Sequence, residues 1–84
     1  MPFLARVVVT PRADVLDPQG QAVESALHSL GFEESSGVRV GRFVELELEG
    51  SDRAAAEKRL GEMCEKLLAN LVVEDYRFEL EEAE

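Results

Sequence analysis

Residues 13–32 read A-D-V-L-D-P-Q-G-Q-A-V-E-S-A-L-H-S-L-G-F, one helix with both ends marked. Asp17 stands where a cap belongs, since its carboxylate can accept from the free N–H groups of a first helical turn. Pro18 follows at the first helical position, where a missing N–H costs nothing. Apolar residues then fall at Ala22, Val23, Ala26, Leu27 and Leu30, the spacing of one helical face. Gly31 supplies a left-handed stop, and Phe32 can fold back onto the last turn. The rest of the chain is expected to cover this apolar stripe.

Upstream, residues 3–10 read as a strand. Ala5, Val7 and Val9 share one face, and Leu4, Arg6, Val8 and Thr10 share the other. Val8 on the second face points to partial cover there too. Pro11 ends the strand, and a loop leads to Asp17. Downstream, residues 33–37 are turn-like. Residues 38–49, V-R-V-G-R-F-V-E-L-E-L-E, are the most strand-like segment. Val38, Val40, Val44, Leu46 and Leu48 are all even, so one strand would put them on one face. A two-residue hairpin at Gly41-Arg42 would split them between faces. Two readings remain, a long strand bent near Gly41 or a three-residue loop pairing Val40 with Val44. The bent strand is preferred.

Ser51 or Asp52 caps a second helix running to about Ala69, with Ala56, Leu60, Met63, Cys64, Leu67 and Leu68 as its stripe. Asn70 is placed as a left-handed stop. Residues 71–81 form the last strand, with Tyr76, Phe78 and Leu80 on one face. Residues 82–84 are expected to fray. The order strand, helix, strand or hairpin, helix, strand describes an α+β two-layer sandwich, two helices on one face of a small antiparallel sheet. It is close to the ferredoxin-like β-α-β-β-α-β plan.

The 84 residues, 1–84, are expected to form one domain. A chain this short buries only about 60–65% of its unfolded surface and is marginal alone, which an oligomer or a larger partner would relieve. The net charge of −9 argues against nucleic acid and anionic membrane as partners. One cysteine rules out an internal disulfide and fits a reducing compartment. The first ten residues lack a basic leader and are too short to span a bilayer, so a cytoplasmic protein is expected.

The inventory for chemistry is thin. Cys64 lies mid-helix in an apolar stripe, which marks a buried structural thiol rather than a nucleophile. His28 lies on the first helix away from the stripe, one turn after Glu24, with which it can pair. A lone histidine is a poor metal site. Glu45, Glu47 and Glu49 alternate along a strand face about 6.5–7 Å apart, too wide for shared coordination of a cation. They read as a solvated face or as one that meets a basic partner. Arg39 and Arg42 with Phe43 beside Gly41 combine the residue types enriched at interfaces. No phosphate loop, dinucleotide fingerprint, zinc spacing or nucleophile–base arrangement occurs. These residues describe a partner of something rather than an autonomous enzyme.

Three segments go further. Residues 15–32 resemble the signature of the PurS family, the small subunit of phosphoribosylformylglycinamidine synthase. Residues 38–49 and 63–76 look like its second and third signatures, and the spacing agrees. Arg42 stands where the family usually has Lys, and Phe43 where Tyr is common, so the contacts there differ in detail. The resemblance implies a non-catalytic subunit of a purine-biosynthetic ligase. It would bridge a PurQ-type glutaminase and a PurL-type synthetase and assist ammonia transfer as formylglycinamide ribonucleotide, glutamine and ATP become formylglycinamidine ribonucleotide and glutamate. It implies self-association as a dimer or tetramer, no cofactor or metal in this chain, and ATP and Mg in the synthetase. Contacts are assigned to Asp17, Gln19, His28, Arg39, Gly41, Arg42 and Phe43, with Arg42 and Phe43 expected to serve assembly rather than folding. The competing reading is a small oligomeric regulatory domain that binds a metabolite at its dimer interface, and it rests on fold analogy alone.

Overall fold

β1 (Phe3–Pro11) is the middle strand of a three-stranded antiparallel sheet in the computed structural model, which describes residues 2–82. It pairs on one side with β2 (Arg42–Leu48), Val7 opposite Val44, and on the other with β3 (Glu74–Glu82), Val7 opposite Phe78. The alternation read from the sequence sets the faces. Phe3, Ala5, Val7 and Val9 are fully buried, while Leu4, Arg6, Val8 and Thr10 are half-buried on the open face. Along β3, Tyr76, Phe78 and Leu80 point to the core face.

The core face is covered by α2 (Arg53–Met63) and a π-helical turn over Cys64–Leu68. Asp52 is the cap, and its carboxylate accepts from Ala54 N–H at 3.1 Å. Ala56, Leu60 and Cys64 are buried against β1 and Leu80. The wider π turn breaks the stripe that the sequence extends to Leu67. Met63 and Leu68 pack on the core, but Leu67 is turned out and is 83% exposed. The stop also differs from the expected one. Ala69 is extended, and no described non-glycine residue has positive φ, so Asn70 is not a left-handed cap. Instead its side-chain oxygen accepts from Val72 N–H, forming a local turn before β3. β3 starts at Glu74, later than the sequence places it, and includes Glu82. The fraying expected of residues 83–84 lies outside the described residues.

α1 (Pro18–Ser29) has the expected bounds, with Pro18 at its first position and Gly31 just past its last turn. Gly31 sits at φ +99°, its N–H bonds His28 O, and Phe32 N–H bonds Leu27 O at 2.9 Å. These two bonds satisfy the orphan carbonyls as a Schellman motif does. The stripe, however, is not covered. Val23, Leu30 and Phe32 are 42%, 73% and 52% exposed, and no α1 residue joins the core cluster. The order β-α-β-α-β and the α+β class stand, with one sheet and two helices, but the burial falls to α2.

A nine-residue strand is about 30 Å long and a 12-residue helix about 18 Å. Laid end to end they account for a long axis of 49 Å in a body only 14 Å thick. The radius of gyration is 16.3 Å, against about 12 Å for a compact domain of this length. α1 is an arm that extends past the end of the sheet.

Candidate functional site

Residues 38–41 form neither the first half of a long strand nor a hairpin arm. Pairing begins at Arg42. The four residues before it run as a strap over the start of α1, and the strap collects most of the residues singled out in the sequence. Val40 N–H donates to Asp17 Oδ2 at 2.9 Å, and Val38 N–H donates to Glu24 Oε1 at 3.1 Å. Arg39 Nη1 donates to Pro11 O at 2.9 Å. Asp17 is therefore at the cap position, but its carboxylate is hydrogen-bonded by the strap and makes no cap bond of full geometry, although the Gly20 and Gln19 N–H groups of its own first turn lie close enough to favour its charge. The Val40 N–H holds the Asp17 carboxyl below its usual range, and the Gly20 N–H beside it adds to this.

Two glycines make the crossing possible. A Cβ on Gly20 would stand 2.3 Å from Val38 O, and one on Gly41 would stand 2.1 Å from Val9 O. Both obstacles are backbone, so neither can rotate away.

Below the strap, Arg42 reaches across the start of the sheet. Its Nη1 donates to Glu74 Oε2 at 2.9 Å, and its Nη2 donates to Glu74 Oε1 at 3.0 Å and Leu68 O at 2.7 Å. Glu74 also accepts from Asn70 N–H at 2.7 Å. That backbone bond first, and Arg42 second, hold the Glu74 carboxyl below its usual range. Asp17, Gln19, Gly41, Arg42 and Glu74 line a cleft of about 200 Å³ at this end of the sheet.

The structure thus brings Asp17, Gln19, Arg39, Gly41 and Arg42 together and separates two others. Phe43 points to the open sheet face beside Val8 and is 59% exposed. His28 lies at the far end of α1. Its Nε2 is 2.8 Å from Ser35 O, so that nitrogen carries the proton. It does not pair with Glu24, whose carboxylate is taken by Val38. Glu74 escapes sequence reasoning because nothing local links it to Arg42, 32 residues away.

A second concavity is apolar. Leu46 of β2, Met63, Leu67 and Leu68 line a groove of about 410 Å³ beside α2, with Arg59, Glu62 and Lys66 at its rim. The sequence places Met63, Leu67 and Leu68 in the covered stripe of the second helix and does not mark this groove.

None of this is an acid–base or nucleophilic arrangement. Cys64 is a buried free thiol whose burial pushes its pKa up, the opposite of activation. Among the described residues no group of three metal-ligating side chains forms. No described helix is long and apolar enough to cross a membrane. The chemistry available is recognition by surfaces.

Comparison with known proteins agrees in sequence and in structure. The family model described as PurS, phosphoribosylformylglycinamidine (FGAM) synthase, matches residues 4–82. The phosphoribosylformylglycinamidine synthase subunit PurS of Bacillus subtilis (strain 168) is 51% identical over 80 residues, covering 95% of this chain and 94% of the relative. A crystal structure of B. subtilis PurS superposes with a TM-score of 0.86 over 95% of this chain and 99% of the other. A chain in the structure of PurLQS from Thermotoga maritima, 31% identical, superposes at 0.83 over 95% of this chain and 99% of that one. With a family model matched over residues 4–82 and a relative 51% identical over 95% of this sequence, the chain belongs to the PurS family.

Proposed function

We propose that this chain is the non-catalytic PurS-type subunit of a phosphoribosylformylglycinamidine synthase. It acts in purine biosynthesis by bridging a glutaminase (PurQ) and a synthetase (PurL). The observation that supports this most is the likeness to a chain of the PurLQS structure over 95% of the present sequence. The glutaminase releases ammonia from glutamine. The synthetase uses ATP to convert the amide oxygen of formylglycinamide ribonucleotide to a phosphate ester, and ammonia displaces the phosphate.

Ammonia free in neutral water is mostly protonated and no longer a nucleophile. A bridge that docks two active sites and excludes water keeps it neutral and close to the second site. Such a bridge needs surfaces and a rigid frame, and no reactive side chain. ATP and Mg belong to the synthetase, and this chain takes no cofactor of its own. Self-association, as a dimer or tetramer, belongs to the same reading, as does a cytoplasmic location. The docking contacts are assigned to the strap and cleft around Asp17, Gln19, Arg39, Gly41 and Arg42, with Phe43 and His28 as separate contacts.

Product formation by the synthetase and glutaminase, with and without this chain, tests the proposal. Glutamine-driven synthesis should require the chain, while ammonia-driven synthesis should largely not. Equal rates with and without the chain on both nitrogen sources would remove the assignment.

A further inference from the structure

We propose that the open face of the sheet docks a lysine- and arginine-rich surface, with an apolar spot for Phe43, on one of the two catalytic subunits that this chain bridges. This rests on the bridging role proposed above and adds the face that is used and the chemistry of the surface it meets.

The pairing register builds the face. Leu4 of the middle strand stands between Glu47 and Glu81, and Arg6 stands between Glu45 and Glu79. One row on, Val8 stands between Phe43 and Arg77. The middle-strand residues are half-buried, and their neighbours on β2 and β3 are exposed. α2 and the π turn pack on the opposite side, against Phe3, Ala5, Val7 and Val9, while Phe43 stays 59% exposed. Arg6 is held by Glu81 at 2.6 Å and by Glu45 at 3.5 Å, so the centre of the face is already ordered and loses little freedom on docking.

Charge decides what can cover this face. The four glutamates, with Asp75 opposite Thr10, stand against Arg6 and Arg77 alone. Among the described residues no ion pair reaches Glu47 or Glu79. A second copy would set the same acidic rows against its own, which like charges oppose. Nucleic acid is repelled for the same reason. A shared cation does not fit either. Carboxylates on the two outer strands are about 9–10 Å apart, and no group of three ligands forms among the described residues. A basic protein surface satisfies the free glutamates, and Phe43 beside Val8 gives it an aromatic anchor of the kind that dominates interfaces. Three strands about 4.8 Å apart, paired over the seven residues of β2, span roughly 330 Å². A standard interface takes about 800 Å² from each partner. The face is therefore one contact among several and acts most on the rate of encounter.

The test follows binding of the purified synthetase and glutaminase subunits to the immobilised chain at low and high salt. The double variant Glu47→Lys, Glu79→Lys should keep the circular dichroism and the light-scattering mass of the parent. Its association with one subunit should slow roughly tenfold or more. Phe43→Ala should speed dissociation of the same subunit. Added salt should slow association of the parent and leave that of the double variant unchanged. Glu33→Lys with Glu34→Lys makes the same change in net charge at exposed positions off the sheet and should bind as the parent does. Parent-like association of both subunits with the Glu47, Glu79 reversal, or an equal loss in the Glu33, Glu34 pair, overturns the face. A reversal that lowers the mass in solution marks a contact between copies and overturns it too. If the reversal unfolds the chain, Glu47→Gln with Glu79→Gln decides, and association at the parent's rate overturns the face. In all these cases a parent that captures both subunits and supports glutamine-driven synthesis keeps the bridging role. A parent that captures neither overturns both proposals.

Discussion

Replacing Arg42 with alanine is expected to destabilise the fold itself, before any effect on assembly. The side chain joins the first residue of β2 to the first residue of β3, through both Glu74 oxygens, and to the end of the helical layer through Leu68 O. Hydrogen bonds to charged groups contribute about 1.5–3 kcal/mol each when shielded from water. Here the Arg42 side chain is 53% exposed, although Glu74 is only 15% exposed. Exposed ion pairs fall to roughly 0–1 kcal/mol. Nor does the loss of Arg42 strand the carboxylate, which keeps its bond from Asn70 N–H. The bridge therefore lies between the limits, at about 1–2 kcal/mol. For a domain this size that lowers Tm by roughly 5–15 °C.

Urea and thermal unfolding at one fixed protein concentration read the change, since any self-association makes Tm depend on concentration. Glu74→Gln and the double variant complete a cycle, whose coupling term isolates the pair. An Arg42→Ala variant within about 0.5 kcal/mol of the parent would behave like an ordinary surface substitution. That result would refute the bridge and return Arg42 to the exposed, assembly-only role that the sequence assigns it.

Leu60→Ala removes the largest side chain that α2 buries against β1. It should cost about 2–5 kcal/mol by urea unfolding, the range for a cavity at a fully packed site. Two glycine replacements should have opposite signs. Gly61→Ala, in the interior of α2 with open space at its Cβ position, should raise stability by about 0.5–1 kcal/mol. Gly20→Ala, against Val38 O, should lower it and expose the Val38 and Val40 amides to hydrogen exchange; unchanged protection there would mean the strap does not hold the arm. Stability should also fall in acid. The Asp17 and Glu74 carboxyls have folded pKa values below their ordinary ones, 3.8 and 4.5. Their contribution is present above those ordinary values and is lost as pH falls through the lower folded ones. Asp17→Asn should flatten that acid limb, and an unchanged slope between pH 2 and 5 would remove Asp17 from it.

The helix ends were legible because their chemistry is local. Pro18 at the first turn and Gly31 at the stop act on backbone groups within a few residues, and both stand where the sequence puts them. Strand parity was equally readable, since alternate residues must face opposite sides of a pleat, and Ala5, Val7 and Val9 are all buried. The family reading rested on the resemblance of three segments, and the family model over residues 4–82 bears it out.

What the sequence left open depends on groups far apart in the chain. Parity says which residues share a face, not whether a segment pairs at all, so residues 38–41 read as strand although the Val38 and Val40 amides go to Glu24 and Asp17. The same competition redirected the Asp17 carboxylate: a strap N–H 23 residues away took the acceptor that local propensity reserves for the helix. Arg42 looked like a free surface charge because Glu74 comes beside it only when β1 pairs with both neighbours. An apolar stripe likewise states that a surface must be covered and is silent on what covers it. In α2 the covering surface is the sheet. In α1 the strap holds the start of the helix, and no residue of its stripe joins the core. Local backbone chemistry and periodicity are written residue by residue, whereas the partner of each polar group and each apolar face is settled only when the chain closes on itself.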